Sequence, residues 1–261
     1  MAGRSWLPAA ILTCLALGGA LVGPLSAARP KCMGERATIV GTTGPERLAG
    51  TRGIDVIVAR GGSDYIVAKD SDDLICAGPG NDHVVAGAGR DRIRAGAGDD
   101  SLVGGSRTAL MVGGAGLDTF FTGGGQGGTI EGGKGSDWLT FVDRRCVRST
   151  KVDLTAHEAR YRNCPGTNTR KWSVRGIENV EGGRGADSIV GSDFANKLMG
   201  QERGDVIVAR AGSDLVLGSA GKDKMRGNSG TDRLHGGAQY DHGRGGPAAD
   251  TCIEIEVRRS C

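Results

Sequence analysis

An aspartate recurs every nine residues through most of this chain, and that period limits what the chain can become. Asp55, Asp64, Asp73, Asp82, Asp91 and Asp100 are evenly spaced. Two residues after each stands an aliphatic: Ile57, Ile66, Ile75, Val84, Ile93 and Leu102. Two residues before stands Gly53, Gly62, Gly80, Gly89 or Gly98, with Ser71 the exception. The register continues through Ala109/Met111 and Asp118/Phe120, takes one inserted residue near Thr122, and resumes at Gly128/Ile130 and Asp137/Leu139. It returns at Asp187/Ile189, Asn196/Leu198, Asp205/Ile207, Asp214/Val216, Asp223/Met225, Asp232/Leu234 and Asp241/Gly243. Asp fills 14 of these 17 slots although only 21 of the 261 residues are Asp, so the nonapeptide is a structural unit.

Composition narrows the reading further. The chain has 48 glycines against 4 Phe, 3 Trp and 3 Tyr, too few large side chains for a helical enzyme core. Glycine does not fall every third residue and only 7 prolines are present, which excludes collagen. The formal charge of +3 favours neither a nucleic-acid binder nor a charge-driven disordered tail.

In each unit glycine permits a tight turn, and a segment such as Val56-Ile57-Val58 forms a very short strand with its middle side chain inward. Two units make a coil of eighteen residues, and coils stack as parallel rungs of two small sheets around an aliphatic ladder. The expected fold is all-β, a parallel β-roll. Stacking sets Asp64 over Asp82 over Asp100 at rungs roughly 4.8 Å apart. At about 5 Å and an effective dielectric near 20, each carboxylate pair repels by roughly 3 kcal/mol. A hard divalent cation between turns removes that repulsion. Ca²⁺ accepts six to eight oxygens with flexible geometry, whereas Mg²⁺ demands a tight octahedron and keeps its waters. Carbonyls of the glycine turns supply further ligands.

The pattern resembles the RTX, or hemolysin-type, calcium-binding nonapeptide GGxGxDxUx, with U a large apolar residue. The best matches are Gly113-Gly114-Ala115-Gly116-Leu117-Asp118, Gly132-Gly133-Lys134-Gly135-Ser136-Asp137 and Gly182-Gly183-Arg184-Gly185-Ala186-Asp187. Residues 77–100 follow closely, with Ala77, Ala86 and Ala95 in the first glycine slot. The resemblance implies a β-roll with Ca²⁺ held between turns, often folding only when calcium is present. The expected metal-binding set is Asp64, Asp82, Asp91, Asp100, Asp118, Asp137, Asp187, Asp205, Asp214, Asp223 and Asp232, with Gly80, Gly89 and Gly98 in the turns. Three features depart from the family: a slightly basic charge, interruptions at Ala109, Gly128 and Asn196, and a carboxy terminus ending Arg258-Arg259-Ser260-Cys261. Arg60, Arg90, Arg92, Arg94, Lys222, Lys224 and Arg226 beside the slots are expected to pair with Asp and lower the demand for calcium.

Residues 1–28 read as a secretory signal peptide, with Arg4 before an apolar run and Ser26-Ala27-Ala28 at its end; breakers within the run argue against a membrane anchor. Six cysteines then remain. Proximity suggests Cys146–Cys164 and Cys252–Cys261, leaving Cys32–Cys76; a zinc site lacks any CxxC. Residues 29–49 read as an amino-terminal cap, 50–140 and 182–244 as repeat blocks, 141–181 as a spacer of irregular strands, and 245–261 as a carboxy-terminal cap. His157-Glu158-Ala159-Arg160-Tyr161 starts like a zinc-protease helix but has Tyr161 where a second histidine is needed. A catalytic cleft would have to be built around Asp143, Asp153 and His157, and no enzyme is expected. Val56, Val58, Tyr65, Val67, Val206, Val208, Leu215 and Leu217 flank the inward positions and should face outward, covered by the spacer or by a cell-surface or polysaccharide partner. The whole reads as a secreted, calcium-binding β-roll.

Overall fold

A computed structural model describes residues 28–122, 127–141, 147–163 and 169–261. The expected signal peptide, Asp143 and the Cys146–Cys164 pair lie outside the described residues, apart from Ala28. The chain is a parallel β-solenoid without a helix among those residues. Each coil gives one strand to each of two facing sheets, one of 11 strands and one of 14. The eighteen-residue offset sets the register: Tyr65, Ile66 and Val67 pair with His83, Val84 and Val85. The inserted residue near Thr122 lengthens one step, so Leu110 pairs with Thr129.

Alternation does the packing. In Tyr65–Asp70, Ile66 and Ala68 point inward and their neighbours outward. The inward residues form one continuous ladder, in which Ile57, Ile66, Ile75, Val84, Ile93, Leu102, Met111, Phe120, Ile130 and Leu139 are all fully buried. Ladder packing is cooperative, because each rung hides its aliphatic only against the next coil. Gly243 breaks the series, and Ile255 fills the gap: a Cβ on Gly243 would lie 2.5 Å from the Ile255 Cδ1.

The spacer is spliced into one sheet. Val147–Asp153, Glu158–Asn163 and Thr169–Arg175 form an antiparallel set. Its outer members pair in parallel with Ser188–Val190 and Thr129–Lys134, so the sheet runs through unbroken. On the other side Trp138–Thr140 pairs directly with Asn179–Glu181. The repeat blocks therefore share one core, which also takes in Val152, Ala159, Tyr161, Trp172 and Val174.

Both ends extend the roll. Ile39–Val40 and Arg47–Ala49 pair with the first repeat strands as added rungs. Thr251–Ile253 and Val257–Arg259 add a further coil over the last one. The Cys32–Cys76 and Cys252–Cys261 disulfides are present, each with Cα atoms 5.7 Å apart. One expectation changes. Val56 and Val58 lie on the outer side of the strand, opposite Ile57, but they are buried there, and their cover is the amino-terminal hairpin carrying Cys32, Met33 and Ala37, not the spacer. Tyr65 and Val206 do face solvent.

Candidate metal centre

The slot aspartates are buried at the edges of the sheets, at most 4 % exposed from Asp55 to Asp241. In stacked coils each Oδ1 accepts the backbone N–H of the slot residue one coil earlier. One column runs from Glu46 through Asp64, Asp82, Asp100, Asp118 and Asp137 at 2.8–3.0 Å. It passes Glu178, whose Oε2 accepts from Asp137, and resumes from Asn196 through Asp214 and Asp232 to Asp250. The other column links Asp55, Asp73 and Asp91, then Asp187, Asp205, Asp223, Asp241 and Glu256. Half of each carboxylate thus meets a backbone donor, an attraction that the repulsion estimate from sequence omitted.

The second oxygen divides the turns into two classes. In one class Oδ2 is buried with no hydrogen-bond partner: Asp64, Asp73, Asp82, Asp91, Asp100, Asp118, Asp137, Asp205, Asp214, Asp223, Asp232, Asp241 and Asp250. We call these turns open. Their backbone is left-handed at the residue four before the Asp: φ is 117° at Gly78, 96° at Gly87 and 136° at Gly96. Most are left-handed again two before it, at 135°, 153° and 125° for Gly80, Gly89 and Gly98. Where glycine is missing the conformation persists, at 80° for Arg60, 84° for Lys69, 82° for Ser71, 85° for Gln201 and 71° for Arg203. In the other class the amide four residues back turns in and fills Oδ2. Thr51 donates to Asp55 at 2.6 Å and Gly183 to Asp187 at 2.7 Å; Thr42 to Glu46 and Ser192 to Asn196 do the equivalent. These closed turns stand at the start of each run of coils: 41–46, in the amino-terminal cap, and 50–55, then 182–187 and 191–196.

Open turns bring acceptors together without donors. A Cβ added to Gly113 would lie 2.1 Å from the Asp118 Oδ2 and 2.8 Å from the carbonyl of Gly132. At Gly218 the same two atoms are the Asp223 Oδ2 at 2.3 Å and the Gly236 carbonyl at 2.7 Å. At Gly98 a Cβ would meet the Gly80 carbonyl at 2.3 Å, and at Gly116 the Gly98 carbonyl at 2.2 Å. Carboxylate and carbonyl oxygens that converge with no proton between them suit a hard cation. Among the described residues no three His, Cys, Asp or Glu side chains gather into one cluster, so any ion here must draw on backbone carbonyls.

Electrostatics point the same way. Burial pushes the carboxyls up, partly offset by the backbone N–H and increased again by neighbours in the column. Asp73, Asp82, Asp137, Asp214 and Asp223 rise to about 6, Asp100 to about 7 and Asp205 to about 8. The expected basic partners do not relieve them. The ion pairs among the described residues join Arg160 and Lys171 to Glu158, Arg184 to Glu202, Arg210 to Asp193 and His235 to Glu254. None reaches a column aspartate: Arg92, Arg94, Lys224 and Arg226 project from the outer strand faces, and Arg60, Arg90 and Lys222 are exposed in the turns.

Of the expected set, Asp187 alone has both oxygens taken, by Thr150 and Gly183. Sequence reasoning left out Asp73, Asp241 and Asp250, although all three keep the spacing of nine. Glu178, nine before Asp187, carried the same signal. Of the residues considered for a catalytic cleft, Asp153 serves a turn: its Oδ1 accepts from Thr155 and Ala156. No curated protein matches the chain. The model of the RTX calcium-binding nonapeptide repeat matches residues 40–75 and 77–106, and in overlapping copies 173–193, 190–225, 199–234 and 208–243. With more than half of its length so matched, the chain belongs to the RTX calcium-binding nonapeptide repeat family.

Proposed function

We propose that this is a secreted calcium-binding β-roll in which Ca²⁺ held between successive open turns stabilises the fold after export. The row of buried, partnerless Asp Oδ2 atoms carries this reading. Asp64, Asp82, Asp91, Asp100, Asp118, Asp137, Asp205, Asp214, Asp223 and Asp232 would hold the ions, joined by Asp73, Asp241 and Asp250. Carbonyls of turn residues such as Gly80, Gly89 and Gly98 would complete the shell. Bound calcium supplies positive charge where the fold has gathered only acceptors. Asp187, saturated by amides, serves the scaffold. Because the sites exist only when coils stack, binding free energy becomes folding free energy. The two disulfides and the apolar leader support export, since such bonds persist in oxidising compartments. Family membership and a site made of turns favour a binding or structural role over catalysis.

The test is a far-UV circular dichroism titration of the oxidised chain, starting in chelator. Cooperative gain of β signal with calcium, not reproduced by magnesium, is expected. A roll fully formed in chelator, whose melting calcium leaves unchanged, would overturn the reading.

A further inference from the structure

The outer face of the 14-stranded sheet ends in an uncompensated basic patch. Arg226, Arg244 and Arg259 stack in register on three successive rungs, and Lys224 and His242 stack beside them. Each of these five is exposed. They line a shallow depression of about 300 Å³ floored by Met225 and Gly243 and edged by Val257. Rungs stand roughly 4.8 Å apart, and like charges directly opposite one another destabilise a sheet. The carboxylates nearest in sequence are committed elsewhere. Asp223 and Asp241 are buried in their column, Glu256 accepts from the Asp241 amide, and Glu254 faces His235. No ion pair among the described residues involves any of the five basic groups.

We infer that this patch binds a linear polyanionic glycan through sulfate or phosphate esters carried in series. Guanidinium groups suit such oxyanions because their planar forks bind two oxygens at once. Three of them at one-rung intervals match charges repeated along a chain better than a single small anion. Single-stranded nucleic acid would need a series of rings on which successive bases stack, and the lining holds the His242 ring alone, with Tyr240 edge-on beside it. The three arginines project from the sheet face and not into the turns, whereas Lys224 and His242 adjoin Asp223 and Asp241, so binding is read in calcium, where the roll is formed.

Calorimetric titration of the full chain in calcium buffer with dextran sulfate, against unsulfated dextran, tests this. The sulfated polymer is expected to bind and the neutral one not. Replacing Arg226, Arg244 and Arg259 together by Ser should weaken binding at least about tenfold. Replacing Arg90, Arg92 and Arg94, which removes the same charge elsewhere, should change it less than about twofold. Equal weakening by both triples would reduce the effect to diffuse charge and overturn the site. So would binding no better than unsulfated dextran, inorganic sulfate binding as tightly per sulfate group, or tighter binding of single-stranded DNA. Should the serine triple lose its β signal, the Arg→Lys triple keeps charge and stems and reads the forks alone. It should bind about threefold or more weaker, and unchanged affinity would overturn the proposal.

Discussion

The turns 132–137 and 182–187 share the motif Gly-Gly-x-Gly-x-Asp and fold differently. In the first, Gly133 and Gly135 are left-handed at 123° and 146°, and the Asp137 Oδ2 has no partner. In the second, neither Gly183 nor Gly185 is left-handed, and the Gly183 amide fills the Asp187 Oδ2. Their neighbours differ: turn 132–137 stacks on the open turn 113–118, whereas turn 182–187 follows the antiparallel spacer, through Thr150. The first turns at the other block start, 41–46 and 50–55, also lack an earlier repeat turn beneath them and also close. Closed turns thus satisfy themselves and start a block, and open turns are stacked upon them. The motif permits an open turn, but the preceding coil decides.

The largest expected effect tests whether open turns store electrostatic cost. Burial raises their carboxyls above 3.8, so the folded state binds protons more tightly than the unfolded chain. Without calcium, the stability this confers is complete below pH about 4 and is lost as pH rises through the folded values, about 6 to about 8. In chelator the melting temperature should fall by roughly 10 °C or more between pH 5 and pH 8.5, and in excess calcium it should stay nearly flat. Burial raises the closed-turn Asp187 as well, so equal melting at both pH values in chelator would mean that the buried slot carboxyls as a set store no electrostatic cost.

Backbone conformation provides the next contrast. Gly135 and Gly53 hold equivalent slots, two before Asp137 and Asp55. A Cβ on Gly135 would meet the Gly116 carbonyl at 1.7 Å with φ at 146°, whereas on Gly53 its nearest neighbour is the Thr51 Oγ1 at 3.6 Å. Gly135→Ala should cost about 2–4 kcal/mol in urea unfolding with calcium present, and Gly53→Ala less than about 1 kcal/mol. Equal costs would mean that the classes are not distinct backbone states.

Asparagine substitution should then give opposite signs. Asp187→Asn leaves one acceptor facing two buried amides, so it should destabilise by about 1–3 kcal/mol with or without calcium, its calcium midpoint unchanged. Asp137→Asn keeps the acceptor for Asp118 and points a donor where only acceptors gather. In chelator it should match or exceed the parent in stability, and its calcium midpoint should move to higher concentration. A shared phenotype would collapse the distinction.

Much of this was legible in the residues because a solenoid makes spacing into geometry. A period of nine put Ile66, Ile75 and Val84 in the core and the slot Asp residues in columns. The Cys252–Cys261 disulfide followed from proximity, and Cys32–Cys76 was the pair then left over. The turn class was not legible: Ser71, Lys69 and Gln201 adopt left-handed conformations with no glycine to announce them, while the glycine-perfect 182–187 does not. Turn conformation depends on stacking eighteen residues away, and a local motif does not record that. Nor did sequence reveal that column aspartates accept one another's amides, since this needs the rise between rungs as well as the spacing.

One local signal of closure remains, and it carries the smallest prediction. Three of the four closed turns place a hydroxyl four residues before the slot: Thr42, Thr51 and Ser192. The Thr51 Oγ1 donates to the Asp55 Oδ2 at 3.0 Å and accepts from Gly53 at 3.0 Å, clamping the turn around the carboxylate. Thr51→Val preserves shape and the Thr51 amide bond to Asp55 but removes both hydroxyl bonds, in an exposed turn where water replaces part of the loss. It should cost about 0.5–1 kcal/mol, a melting shift of about 2–4 °C, and leave the calcium titration unmoved. A shifted calcium midpoint would couple the closed turn to ion loading above it, and block starts would then set affinity as well as shape.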